Sequence, residues 1–134
     1  MKQLITVLFI SLSLQLVAQS KKQIKKNGIT AVKTLEQDIS LGEKELWIEK
    51  EEHFDQKGEL VEIKKFYKKG KIKSWERFTY NEAGLLASEE ELNAKGETIK
   101  LIEYKYENGL RTQKLYYDAK KRLYKKKKYE YQYE

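Results

Sequence analysis

The sequence predicts an all-β fold: an antiparallel meander of consecutive hairpins, with seven to eight strands in a single open or partly curled sheet. Three observations carry that prediction. The seven glycines form one spaced series, Gly28, Gly42, Gly58, Gly70, Gly84, Gly96 and Gly109, and glycine is the residue that takes positive φ in tight turns without steric cost. The segments between them are rich in Tyr, Val, Ile, Lys and Glu, no interval between turns exceeds about a dozen residues, and β-branched and aromatic residues dominate the apolar set, which disfavours helix. Proline, the usual strand breaker, is absent from all 134 residues.

Taken in order, the chain opens on a basic head, Met-Lys-Gln, followed by a largely apolar run of 14 residues from Leu4 to Val17 and then Ala18-Gln19-Ser20. This is the layout of a secretory signal peptide over residues 1–18, shorter than the roughly 20 residues that a bilayer crossing needs. It implies export to the periplasm, the cell surface or the medium, and no transmembrane segment after cleavage. Residues 19–27 read as a basic N-terminal linker and 28–134 as the β-hairpin repeat domain. Strands are expected near 29–38, 44–54, 59–68, 71–80, 85–93, 98–107, 110–117 and 122–133. Alternation supports several of them: Val61, Ile63 and Tyr67 share one parity, as do Ile72, Phe78 and Tyr80.

The turns have a period. Gly58 to Gly84 and Gly70 to Gly96 are each 26 residues apart and Gly84 to Gly109 is 25, so the repeating unit is two strands and two turns. The next glycine is due at 121, where Lys121 stands. Asp55, Asn81 and Asn93 each precede a glycine by three residues, the spacing of a type I turn followed by a left-handed residue. Asn108-Gly109 and Asn27-Gly28 read as the shorter two-residue turn with two positive φ values.

Charge is banded. Charged residues are 37% of the chain, yet the formal net charge is only +7. Residues 19–35 sum to +5, 36–62 to −7, 63–81 to +6, 82–107 to −4 and 108–134 to +6. Neighbouring strands in a meander are neighbours in sequence, so basic bands should lie beside acidic ones and their pairs should fix the register. The last band is the exception, because a terminal strand has a single neighbour. Its Lys120, Lys121, Arg122, Lys125, Lys126, Lys127 and Lys128, followed by three tyrosines, are the candidate contact for an anionic partner. Lysine on an edge strand equally serves to block unwanted sheet pairing. Export makes nucleic acid an unexpected partner and favours an envelope polysaccharide or lipid headgroup.

Catalytic residues are scarce. There is no cysteine and one histidine, His53, set just before an expected turn, so no cofactor or metal is expected and no enzyme activity is indicated. Glu89 and Glu91 should share a sheet face, but nothing around them marks a pocket that would set apart two carboxyl pKa values, as sugar cleavage requires. Trp47, Trp75 and the ten tyrosines read as packing rows of the sheet, with carbohydrate stacking as the alternative.

The stretch Phe78-Thr79-Tyr80-Asn81-Glu82-Ala83-Gly84-Leu85-Leu86 resembles the YD repeat of the RHS family, and Phe54–Leu60 and Tyr117–Leu123 are similar to partial copies of it. Phe66-Tyr67-Lys68-Lys69-Gly70-Lys71-Ile72 and Tyr106-Glu107-Asn108-Gly109-Leu110 resemble MORN-type-2 repeats. The likeness implies a short exported β-repeat protein of a kind found in the Bacteroidetes, and it brings no catalytic residues. The expected function is a non-enzymatic structural or interaction role in the cell envelope. The alternatives are a binder of anionic polymers through the C-terminal Lys/Tyr strand and an antitoxin or immunity-like partner.

Overall fold

A computed structural model describes residues 21–134, so the expected signal peptide lies outside the described residues. The strands are β1 (Ala31–Glu36), β2 (Trp47–Phe54), β3 (Leu60–Phe66), β4 (Ile72–Tyr80), β5 (Leu86–Leu92), β6 (Thr98–Glu107), β7 (Leu110–Asp118) and β8 (Leu123–Lys128). They form one antiparallel sheet in the order of the sequence, open between β1 and β8. The meander predicted from the glycine series is therefore the fold, and the sheet does not close into a barrel.

Five of the seven glycines sit in tight hairpin turns, and the turn chemistry is specific. At the β2–β3 turn the Asp55 carboxylate accepts from the backbone N–H of Lys57 and of Glu59, each at 2.9 Å. Asn93 repeats the arrangement at β5–β6 with Lys95 and Glu97, and Asp118 at β7–β8 with Lys120 and Arg122. Asn81 accepts from Leu85 at β4–β5. A β-bulge follows or precedes each of these turns, which is how a three-residue connection with a left-handed residue joins a twisted ladder. Asn108 and Gly109 take φ of 51° and 77°, the two-residue turn expected for them. Lys121 occupies its predicted glycine position at φ 60°, a left-handed lysine.

Of the other two glycines, Gly42 lies in the longer antiparallel β1–β2 connection, and only Gly28 corrects the expectation of a hairpin at every glycine. Residues 21–26 are helical, so the basic linker expected at 19–27 is structured over those positions. Gly28 closes that helix: its N–H donates to Lys25 O and the N–H of Ile29 to Ile24 O, while Asn27 keeps negative φ. The helix then packs on the β2–β3 turn, where a Cβ on Gly58 would lie 2.9 Å from Lys21 O. Gly42 likewise caps a short 3₁₀ turn, Ile39–Leu41, inside the β1–β2 connection, with Asp38 at its start. Local backbone hydrogen bonding of a few residues competes with strand pairing only at this N-terminal end, where the 26-residue period has not begun.

A third feature repeats that the turn series does not reveal. Tyr80 Oη donates to Leu60 O at 2.7 Å, Tyr106 Oη to Leu86 O at 2.6 Å and Tyr131 Oη to Arg111 O at 2.6 Å. Each tyrosine reaches the carbonyl 20 residues before it, near the start of the preceding strand, Tyr80 and Tyr106 from the ends of β4 and β6 and Tyr131 from just beyond β8. The equivalent position one unit earlier is Phe54, which has no hydroxyl.

Directly opposite residues share a face, so the ladder registers sort the side chains. The front face carries Val61, Ile63, Phe78, Glu89, Ile102 and Tyr116; the back face carries Trp75, Leu92, Leu101, Leu115 and Tyr117. Burial is concentrated where β5, β6 and β7 meet: Ile102, Tyr104 and Tyr116 in front, with Leu86 and Tyr106 against them, and Leu92 and Leu115 behind. No side chain among the described residues is less than 2% exposed, as expected of a sheet one layer thick.

Two substitutions test these local assignments. Lys121→Gly should stabilise the protein by about 1 kcal/mol, because a left-handed backbone costs an L-residue roughly that much. Tyr80→Phe should destabilise it by about 1 kcal/mol through the hydroxyl–carbonyl bond it removes. Urea unfolding of both variants against the parent protein measures each effect.

Candidate functional site

The charge bands predict that basic strands face acidic ones, and on the inner strands many pairs do. On the back face Lys33 lies opposite Glu51 and Glu51 opposite Lys64; Glu62 lies opposite Arg77 and Arg77 opposite Glu90. On the front face Glu91 lies opposite Lys100, which in turn lies opposite Asp118. Of these, Arg77–Glu62 closes to 3.0 Å and Lys33–Glu51 to 3.8 Å. Partial burial is the largest single influence on Glu62 and opposes its ionisation, but the hydrogen bonds from Arg77 and Trp75 and the Lys64 and Arg77 charges together outweigh it and hold the carboxyl below its usual pKa. Like charges also meet, at Lys50/Lys65, Glu76/Glu91 and Lys114/Lys127, so charge complementarity is a partial determinant of register.

At β8, the exception expected for the last band, opposite charge is missing on the neighbouring strand for a simple reason. A charge band spans about two strands, so the neighbour of the last basic strand is β7, from the same band. Lys125 lies opposite Tyr116, Lys126 opposite Leu115, Lys127 opposite Lys114 and Lys128 opposite Gln113. No carboxylate on β7 faces them.

The seven predicted cations do not form one patch. Lys120 and Lys121 stand in the β7–β8 turn and are exposed. Arg122 Nε donates to Asp118 Oδ2 at 2.9 Å. The Arg122 backbone N–H, and then its guanidinium, hold the Asp118 carboxyl below the usual range. Lys126 and Lys128 project to the back face, and Lys125 and Lys127 to the front, as strand alternation requires.

On the front face Lys125 and Lys127 meet two lysines from other strands that the sequence does not single out. Lys100 from β6, Lys114 from β7, and Lys125 and Lys127 from β8 place their ammonium groups 5.8, 5.1, 5.0 and 6.0 Å from the centroid of the Tyr116 ring. Tyr116 itself is only 7% exposed, covered by these stems. Arg111 extends the group by stacking 4.2 Å from the Tyr104 ring. Among the described residues none of the four lysines makes an ion pair. Ammonium–ring contacts stabilise each lysine by about 0.5–1 kcal/mol at exposed sites and leave the positive charge uncancelled. The cluster is thus an aromatic floor ringed by cations, able to receive a phosphate, sulfate or carboxylate group.

The field of this cluster shows in its tyrosines. The Lys114 ammonium beside Tyr116, with Lys127 adding to it, holds the phenol below its usual pKa. Tyr104 is shifted the other way, by burial first and the nearby Glu89 charge second. A signal for the cluster exists in the sequence: Lys100, Lys114, Tyr116 and Lys125 fall on one face once the turns at Gly109 and Lys121 set the register. Banded counting hides it.

The remaining candidates fall elsewhere. Glu89 and Glu91 share the front face as expected, and with Glu76, Glu90, Lys100 and Ile102 they line an open cleft of about 170 Å³. Glu90 accepts from Thr98 Oγ1. His53 sits on β2 between Ala31 and Glu62. Asp38, Asp55 and Asp118 are all occupied in capping backbone N–H groups. Trp75 packs between Lys64 and Arg77, at 4.1 and 5.1 Å, in the manner of a packing row. No helix among the described residues is long and apolar enough to cross a membrane, and no group of three His, Cys, Asp or Glu among them could hold a metal ion. Comparison with protein-family models and with curated proteins finds no match to this chain.

The opposed shifts of the two tyrosines are directly measurable. In a pH titration followed by NMR of ring-labelled tyrosine, Tyr116 should lose its proton at lower pH than Tyr104. Lys114→Gln should move Tyr116 back toward the ordinary phenol value and leave Tyr104 above it.

Proposed function

We propose that this chain is an exported, non-enzymatic β-repeat protein of the cell envelope, of the short YD-repeat type, with an interaction role. Its architecture supports that reading. An open sheet one layer thick presents two broad faces and two edges to partners, and its aspartates serve the turns. The basic head and apolar run of residues 1–18 support export.

The front-face cluster favours a specific form of this role, the binding of an anionic polymer such as an envelope polysaccharide. The observation that carries it is the four ammonium groups around Tyr116, drawn from three strands and unmatched by any described carboxylate within ion-pair distance. Cations gathered over one buried ring suit a polymer carrying acidic substituents, since the ring holds the lysine stems while the ammonium groups meet the charge.

Retention on immobilised heparin tests this with a charge-matched pair of variants. Lys125→Ser/Lys127→Ser should weaken binding about tenfold, equivalent to about 1.4 kcal/mol. Lys126→Ser/Lys128→Ser removes the same charge from the back face and should weaken it much less. Equal losses would reduce the effect to net charge and remove the front-face site. Mass spectrometry of the protein recovered from outside the cytoplasm should give an N-terminus at Gln19.

A further inference from the structure

We propose that the outer edge of β8, unpaired among the described residues, accepts an extended acidic segment of a partner protein as a ninth, antiparallel or parallel, strand. This goes beyond polymer binding on the front face, because it uses the backbone of β8 and lysines of both faces. The backbone geometry is defined. Tyr129 N–H donates to Thr112 O at 2.9 Å, so in the antiparallel ladder Lys125 and Lys127, of the same parity, turn their backbone groups toward β7. Lys126 and Lys128 therefore turn theirs outward, away from the sheet. All six residues of β8 are exposed. Such an edge is a template for strand addition, in which main-chain hydrogen bonds supply affinity and side chains supply selectivity.

Side-chain charge identifies the occupant. Inside the sheet, Glu51 lies between Lys33 and Lys64, and Arg77 between Glu62 and Glu90. The lysines of β8 have no such complement on β7, where they face Tyr116, Leu115, Lys114 and Gln113. Within the plane of the sheet, carboxylates can reach them only from the outer side. Because lysines project to both faces, the matching strand needs consecutive acidic residues, as β5 has at Glu89-Glu90-Glu91. A second copy of this chain is a poor occupant. Another β8 would bring lysine against lysine, and β1, the other edge, offers Ala31, Val32, Lys33 and Thr34 with a single acid at Glu36.

The probe is a capped synthetic peptide of residues 85–93, the protein's own acidic strand, titrated into the full-length protein at low salt. Binding should add amide hydrogen-exchange protection at Lys126 and Lys128 and leave Lys125 and Lys127 as they were. A peptide of the same sequence with alternate backbone amides methylated keeps its charge and cannot pair on that edge, and it should bind at least about tenfold more weakly. Lys126→Pro should cause a similar loss, since it removes an outward N–H, while retention on heparin stays near the parent value. Absence of peptide binding overturns the proposal. So does equal binding of the methylated peptide, or protection confined to side chains of the front face, either of which would mark the lysines as a general polyanion site. A parent protein that pairs with the peptide but is not retained on heparin would instead count against the polymer reading alone.

Discussion

A sheet with water on both sides has no second layer to hold its strands in place, so register is the constraint on which everything else depends. A slip of one residue exchanges the two faces. In this protein that exchange would expose Ile102 and Tyr116 and scatter the lysines around them. What prevents it is concentrated at the connections, where Asp55, Asn81, Asn93 and Asp118 each accept backbone N–H groups and fix the number of residues in the turn. The tyrosine hydroxyls of Tyr80, Tyr106 and Tyr131 add a second tie across the β3–β4, β5–β6 and β7–β8 pairs, 20 residues back. Hydrophobic burial is a weaker determinant here than in a two-layer domain, since it is concentrated around β5 to β7.

That division of labour explains what could be read from the residues alone. Turn chemistry is local, and so the Asp/Asn-x-x-Gly spacing and the 26-residue period locate the connections and the strands within a few residues. Even the missing glycine at 121 is informative, because Lys121 adopts the left-handed geometry the period requires. Gly28 misleads because a glycine at positive φ closes a helical turn as readily as a hairpin. Only the hydrogen bonds around Ile29 distinguish the two.

The candidate site was legible in part. A run of lysines near the C-terminus is plain, but strand alternation divides it, sending Lys125 and Lys127 one way and Lys126 and Lys128 the other. The lysines that complete the front cluster, Lys100 and Lys114, come from strands whose positions relative to β8 depend on bulges between Lys105 and Tyr106 and between Tyr116 and Tyr117. Bulges shift parity by one and have no residue signature of their own here. The charge bands err for a related reason: averaged over about two strands, they describe blocks, and adjacency in a meander is decided strand by strand.

The order of the strands has a mechanical corollary. Each strand touches only those that precede and follow it in the chain, and the first and last lie at opposite borders. Tension applied between the two termini would load the ladder one outer ribbon at a time, peeling it open like a zip instead of shearing many hydrogen bonds together. Such a molecule yields gradually under pull and recovers by the same short steps, a property suited to a tether and poorly suited to a clamp.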